Sequence, residues 1–354
     1  MRILALTRYE RLGSSSRVRF YQYLPYLEGK GIEIIRAPFF KDTYVESLYT
    51  GKAVPSKSIL SAYIQRLFIL CRSTKFDILW VEKELFPWVP AWFEVFLQKL
   101  GIPYIVDYDD AVFHRYNLHS SRFVRTVLGK KIDRVMQRAA LVIVGNDYLA
   151  ERAKQAGAKR IEILPSVVDV SQYKTKNDGA MPPFRIGWIG SPVTASYLDL
   201  VRDALHLLSR EADIRITLIG SGNILPFSGI PTDLLAWSEE LERQIGEMFD
   251  VGIMPLMDGP FERGKCGYKL VQYMAGGLPV IASPVGINSQ IVEPGKNGYL
   301  AASTEEWLMA FRTLIHDNQR CFDMGRAGRQ KAEQLYNLQV TAPKLLEFFL
   351  SVQT

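Results

Sequence analysis

The sequence predicts an α/β chain built as two doubly wound domains, each a parallel sheet with helices on both faces. Three observations carry this reading. Short β-branched runs alternate with helical apolar stripes along nearly the whole chain. The alternation lapses once, in a polar, proline-bearing run up to Pro183, and restarts at Arg185. A chain of 354 residues that is 48% apolar is large enough to bury two cores.

In the first half, Ile3–Leu6 reads as a strand running into Gly13-Ser14-Ser15-Ser16-Arg17 and an amphipathic helix with Phe20, Leu24 and Leu27. Hydroxyls at such a crossover mark ligand sites in open α/β sheets, although a helix cap alone needs only one of them. Ile32–Ile35 is a second strand, and residues 40–57 read as a loop. Residues 59–72 can be helical, with Tyr63, Leu67 and Leu70 on one face and Arg66 and Arg72 off it. Residues 76–81 form a strand. The aromatic run from Leu85 to Leu97 is read as core packing, with interfacial anchoring the alternative. The wider apolar region from Leu85 to Val106 is broken by Glu94, Gln98, Lys99 and several prolines, which excludes a membrane span.

The strand at 103–106 ends in Asp107-Tyr-Asp109-Asp110, followed by His114. Carboxylates gathered at a strand's C-terminal end are a site candidate, either for a divalent cation or for an acceptor group. Residues 120–138 are a basic helical stretch expected to bury Phe123, Val127 and Val135. Leu141–Val144 and 161–165 complete the first domain. The second restarts at Arg185, with Gly190 and Ser191 ending its first strand. Ile216–Ile219 then turns at Gly220, Trp237 precedes a helix through Met248, and Val251 opens the next strand. Domain bounds are 1–165, a linker at 166–184, 185–335, and a last helix at 336–354.

Charge is uneven. Residues 1–165 hold 26 Lys+Arg against 16 Asp+Glu, and the remainder 17 against 21. A basic first half favours an anionic partner, such as a membrane surface or lipid phosphate, and no nucleic-acid-binding motif is present. Cys71, Cys266 and Cys321 form no paired motif, which favours a reducing compartment over a zinc site. Met1 runs directly into a strand, so a secretion leader is not expected and a cytoplasmic place is.

The most informative stretch runs from Glu262 to Ala282. Glu262, Arg263, Gly264, Lys265, Cys266, Gly267, Tyr268 and Lys269 combine glycines and cations at the start of a helix, followed by Gln272, Gly276-Gly277 and the strand 279–282. Backbone amides, a helix N-terminus and three cations form a diphosphate cradle; the alternative is a solvated surface loop.

Gln272-Tyr-Met-Ala-Gly-Gly-Leu-Pro-Val resembles the signature of family 4 (group 1) glycosyltransferases. Gln272 stands where the family carries its ribose-binding Glu, and Gly264 where it carries another, with Glu262 the nearest carboxylate. The resemblance implies the GT-B fold: two Rossmann-like domains, a cleft between them, and a C-terminal helix crossing back. It implies transfer of a hexosyl group from a nucleotide diphosphate-sugar, with retention of configuration and no metal or other cofactor. The acceptor is expected to be a cell-envelope glycan, a lipid-linked intermediate or a polysaccharide, with peripheral contact to an anionic membrane. By the same resemblance, Asp109 and Asp110 orient or activate the acceptor beside His114. Gly13 to Arg17 form the interdomain loop, and Gly190, Ser191, Gly220, Trp237 and the 262–272 segment hold the donor. A nucleotide-sugar epimerase and a non-catalytic nucleotide-sugar-binding relative remain the alternatives.

Overall fold

The computed structural model describes residues 1–50, 53–176, 182–223 and 227–353. The chain divides into two compact units. One comprises Met1–Ser166, Arg263–Cys266 and the C-terminal stretch from Thr341; the other comprises Val167–Glu262 and Gly267–Val340. Residues 177–181, within the expected linker, lie outside the described residues, as do Gly51 and Lys52 in the expected 40–57 loop.

The first unit holds a six-stranded parallel sheet of β1 (Arg2–Leu6), β2 (Glu33–Arg36), β3 (Ile78–Glu82), β4 (Tyr104–Tyr108), β5 (Leu141–Val144) and β6 (Ile161–Ile163). Their order is β2-β1-β3-β4-β5-β6. The central strands are buried on both faces, as continuous runs such as Leu-Val-Ile-Val require. The order reverses between β1 and β3, so the crevice at their carboxyl ends is the place for a ligand. The helix Leu338–Gln353 contributes Leu345 and Phe349 to this core, with the Phe349 ring 5.0 Å from that of Trp80. Tyr23 and Thr341 share a buried hydroxyl hydrogen bond at 3.0 Å.

The second unit repeats the plan with β7 (Phe184–Ile189), β8 (Ile214–Ile219), β9 (Thr232–Leu235), β10 (Val251–Met254), β11 (Val280–Ala282) and β12 (Gly298–Leu300), ordered β12-β11-β10-β7-β8-β9. Trp188, Ile216, Ile253, Ile281, Trp307 and Phe311 lie in one of its cores. Here the reversal falls between β7 and β10, at Gly190 and Ser191. The predicted α/β class of two doubly wound parallel sheets is borne out.

Four local expectations are corrected. The 40–57 loop contains a helix, Asp42–Tyr49, anchored by the buried Val45. The helix Ser56–Leu70 keeps Tyr63 and Leu70 half-buried but departs from its expected face at Arg66 and Leu67. Arg66 is buried, donating to the carbonyls of Thr7 at 2.8 Å and Ala37 at 3.1 Å, while Leu67 is exposed. Two backbone acceptors and the Phe39 ring attract the guanidinium more strongly than periodicity alone reveals. The 85–97 aromatic run is not all core: Leu85, Phe86 and Leu97 are buried, but Trp88 and Trp92 are exposed. The basic stretch at 120–138 is two helices, Arg122–Leu128 and Lys131–Arg138. In it Phe123 and Val127 face solvent, whereas Lys131 is buried. Among the described residues no helix is long and apolar enough to cross a membrane.

Candidate functional site

In the first unit, the ends of β1, β3 and β4 gather charge. Asp107 sits in β4 and is fully buried, so it needs a partner; Arg19 supplies one bidentately, at 2.7 and 3.0 Å. Burial pushes Asp107 up and Arg19 pulls against it. The three carboxylates therefore do not act as one cluster.

Asp109 faces a different cation, which the sequence reading did not single out. Lys83, just past β3, adopts a left-handed backbone with φ 65°, a strained conformation for a side chain of this size. Its amide donates to the Asp107 carbonyl at 3.0 Å, which holds the turn. Its ammonium lies 2.8 Å from Asp109 Oδ1, 3.0 Å from Ser15 Oγ and 4.0 Å from Asp110 Oδ2. Ser15 donates to Asp109 Oδ2 at 2.5 Å. Burial alone would raise the Asp109 pKa, but Lys83, Ser15 and Arg19 outweigh it and hold the carboxyl at about 2. Burial lowers Lys83, and Asp109, Asp110 and Glu82 more than reverse this, leaving it raised. Asp110 is the more open carboxylate, and Lys265 approaches it to 3.7 Å.

Of the serine loop, Ser16 is buried and donates to Glu82 Oε2 at 2.6 Å, and Ser14 is exposed. Gly13 precedes the helix Ser14–Arg19, and Arg17 is buried, reaching the Arg11 carbonyl at 3.4 Å. His114 is half-buried, its ring nitrogens hydrogen-bonded with Asn117 at 2.9 Å and Tyr148 at 2.8 Å. Gly264, Lys265 and Cys266 pack in this unit. Asn146 caps the helix Asp147–Gln155 and also donates to the Gly264 and Lys265 carbonyls at 3.0 and 3.1 Å. A Cβ on Gly264 would lie 2.5 Å from that of Ala111, so this glycine admits a neighbouring chain segment. Cys266 is buried, its thiol donating to the Asp109 carbonyl at 3.0 Å.

In the second unit, Gly267 caps the helix Tyr268–Ala275 with φ 64°, where a Cβ would also strike Ile291. Lys269 follows at the start of that helix. Its ammonium reaches Thr194 Oγ1 at 3.5 Å and lies 4.5 Å from the Trp188 ring centroid. Ser191 and Thr194 form a capping box at the first turn after β7. One cation, hydroxyls and a helix start thus meet at the strand reversal, a combination that suits an anion. Glu262 accepts from the Tyr197 hydroxyl at 2.6 Å, and Arg263 ends the short helix Pro260–Arg263. Gly220, at φ 79°, lies so close to the Gly190 carbonyl that a Cβ there would fall 2.4 Å from it.

Residues 183–317 match the family model described as glycosyl transferases group 1. The sulfoquinovosyl transferase of Arabidopsis thaliana is 24% identical over 366 residues, covering 91% of this chain and 68% of that protein. Spore coat protein SA of Bacillus subtilis is 32% identical over 79 residues, 22% of this chain and 21% of that protein. HepE of Anabaena, solved in complex with UDP, superposes with a TM-score of 0.73 at 17% identity, over 99% of this chain and 100% of that one. Sucrose-phosphate synthase of Thermosynechococcus elongatus gives 0.74 at 13% identity, with 99% of each chain covered. These likenesses establish the GT-B fold class.

Within the matched region, Trp237 and Tyr268 meet a residue that sequence reading passed over. Glu242 is buried and accepts from Tyr173 at 2.9 Å, Tyr268 at 3.0 Å and Trp237 Nε1 at 3.0 Å. Gln272 is buried as well and hydrogen-bonds Tyr173, whose hydroxyl is raised chiefly by burial and then by Glu242. Lys83 left one unused signal, a lysine directly after the strand β3; Glu242 left none, because it lies in the acidic first turn of the helix Glu239–Met248.

Proposed function

We propose that the chain transfers a sugar from a nucleotide diphosphate-sugar to an acceptor. The observation that carries this reading is Lys269 at the Ser191–Thr194 turn, inside the group 1 glycosyltransferase region. A preorganised ammonium beside a helix N-terminus stabilises the charge that grows on a departing diphosphate. UDP-sugars are the first donors to try, because HepE of Anabaena has been solved with UDP and with UDP-glucose.

In the first unit, Asp109 is a poor proton acceptor at neutral pH, since Lys83 and Ser15 hold it ionised. It suits orientation of an acceptor hydroxyl and of Asp110 better than proton abstraction. This accords with a retaining, metal-independent transfer, in which leaving-group stabilisation outweighs base strength. The acceptor we favour is a lipid-linked or cell-envelope glycan, met by a cytoplasmic enzyme peripheral to the membrane. The basic balance of the first half supports that choice.

The test is mass spectrometry of the pure protein with a panel of nucleotide-sugars, with and without lipid extract. Slow donor hydrolysis, and a glycosylated lipid when extract is added, is expected. Conversion of the donor to an isomer would assign an epimerase instead, and retention without turnover a binding protein.

A further inference from the structure

The helix Ser56–Leu70 presents an apolar stripe to solvent and turns Arg66 to the protein. Leu60, Ile64, Leu67 and Phe68 repeat at helical spacing along one exposed stripe, with Phe68 70% and Leu60 61% accessible. Arg66, by contrast, is 2% accessible. A helix this apolar on its outward side is ordinarily covered.

Two further observations say by what. From residue 47 to residue 76 the sequence contains no Asp or Glu, and Lys57, Arg72 and Lys75 there are exposed. The neighbouring surface has the same chemistry. Tyr63 on the inner side of the helix donates to the Pro87 carbonyl at 2.6 Å. The loop it holds carries exposed Trp88, whose ring packs 5.7 Å from His119, and leads to exposed Trp92. Residues 111–132 are again free of acids, and they expose Phe123 between Arg122 and Arg125.

We propose that the helix Ser56–Leu70 lies flat on an anionic lipid surface, its apolar stripe in the acyl boundary and the flanking cations at the headgroups. Apolar side chains beside tryptophans and lysine or arginine, without acids, match the two layers of a bilayer interface. A protein partner would leave the absence of acids unexplained over both segments. The inference takes its purpose from the lipid-linked acceptor proposed above, but its test involves no sugar transfer.

The experiment is co-sedimentation of the full chain with phosphatidylcholine vesicles, with and without phosphatidylglycerol. Binding is expected to the anionic vesicles and to weaken with salt. The double variant Leu60→Asp, Phe68→Asp should lower partitioning roughly tenfold or more, because burying even one such side chain is favourable on that scale. Circular dichroism melting checks its fold, and Leu60→Ser, Phe68→Ser replaces it if it melts early. Absence of wild-type binding, or binding indifferent to both double variants, overturns the proposal. So does a wild-type dimer by ultracentrifugation that the variants abolish without any vesicle binding, which would assign the stripe to a second copy. Nucleotide-sugar retention by the same preparations reports separately on the transferase reading.

Discussion

At the scale of single residues, Lys83 governs the first unit's charge cluster. Replacing it with Met leaves Asp109 buried without its cation, a change that typically costs about 3–5 kcal/mol. The pH dependence follows from the sign of the shift. Asp109 is held at about 2, below the ordinary carboxylate range, so its stabilisation is present above about pH 4 and is lost as pH falls through about 2. Urea unfolding of wild type and Lys83→Met should therefore differ most at pH 7 and converge in acid. Lys269 bears on the donor rather than the fold. Lys269→Ala should reduce nucleotide affinity by about 1.5–3 kcal/mol, the range of a charged hydrogen bond, with an unchanged melting temperature. Calorimetry with UDP measures it. Gln272 is expected to behave the opposite way. Its hydrogen bond with buried Tyr173 makes Gln272→Ala a stability variant, about 1–3 kcal/mol less stable, rather than one that loses affinity. Measuring melting temperature and affinity on the same preparation separates the two behaviours.

At the scale of elements, helix orientation is decided by which residues find partners inside. The helix Ser56–Leu70 turns Arg66 inward because the Thr7 and Ala37 carbonyls accept from it, and burial lowers its pKa to about 9. Arg66→Ala would strip those carbonyls of their donor and should lower unfolding free energy by about 1–3 kcal/mol, which denaturant titration at pH 7 would show. The same logic operates in the helix Lys131–Arg138. Lys131 is drawn under the surface by Glu84 and by the Phe86 carbonyl, at 2.5 Å from the latter. The basic face that residues 120–138 offer to an anionic surface is therefore Arg122, Arg125, Lys130 and Arg134.

At the scale of the whole molecule, the C-terminal stretch from Thr341 belongs to the first unit's core, with Leu345 and Phe349 fully buried there. Phe349→Ala should cost about 3–5 kcal/mol, the usual range for emptying a buried phenylalanine site. The loss should appear in the unfolding of the first unit, whose tryptophans include Trp80 against that ring, and not in the second. Pulsed hydrogen exchange resolves the two. The sequence by itself determined most of the strands, the two-sheet plan and the group 1 signature. Each of these rests on local pattern: β-branched runs, glycines at element ends, and motif spacing within about twenty residues. Even the short β9 was missed only because Thr232–Leu235 is half polar and lies at the sheet edge. Tertiary structure alone decided which charges are inside. Lys83 meets Ser15, Arg19 meets Asp107 88 residues away, and Glu84 meets Lys131 47 residues away. Periodicity records the spacing of apolar side chains, and it is blind to a distant carboxylate or carbonyl that makes burying a cation favourable. For that reason the exposed stripe of Leu60, Ile64, Leu67 and Phe68 was readable as an apolar face, but its direction was not.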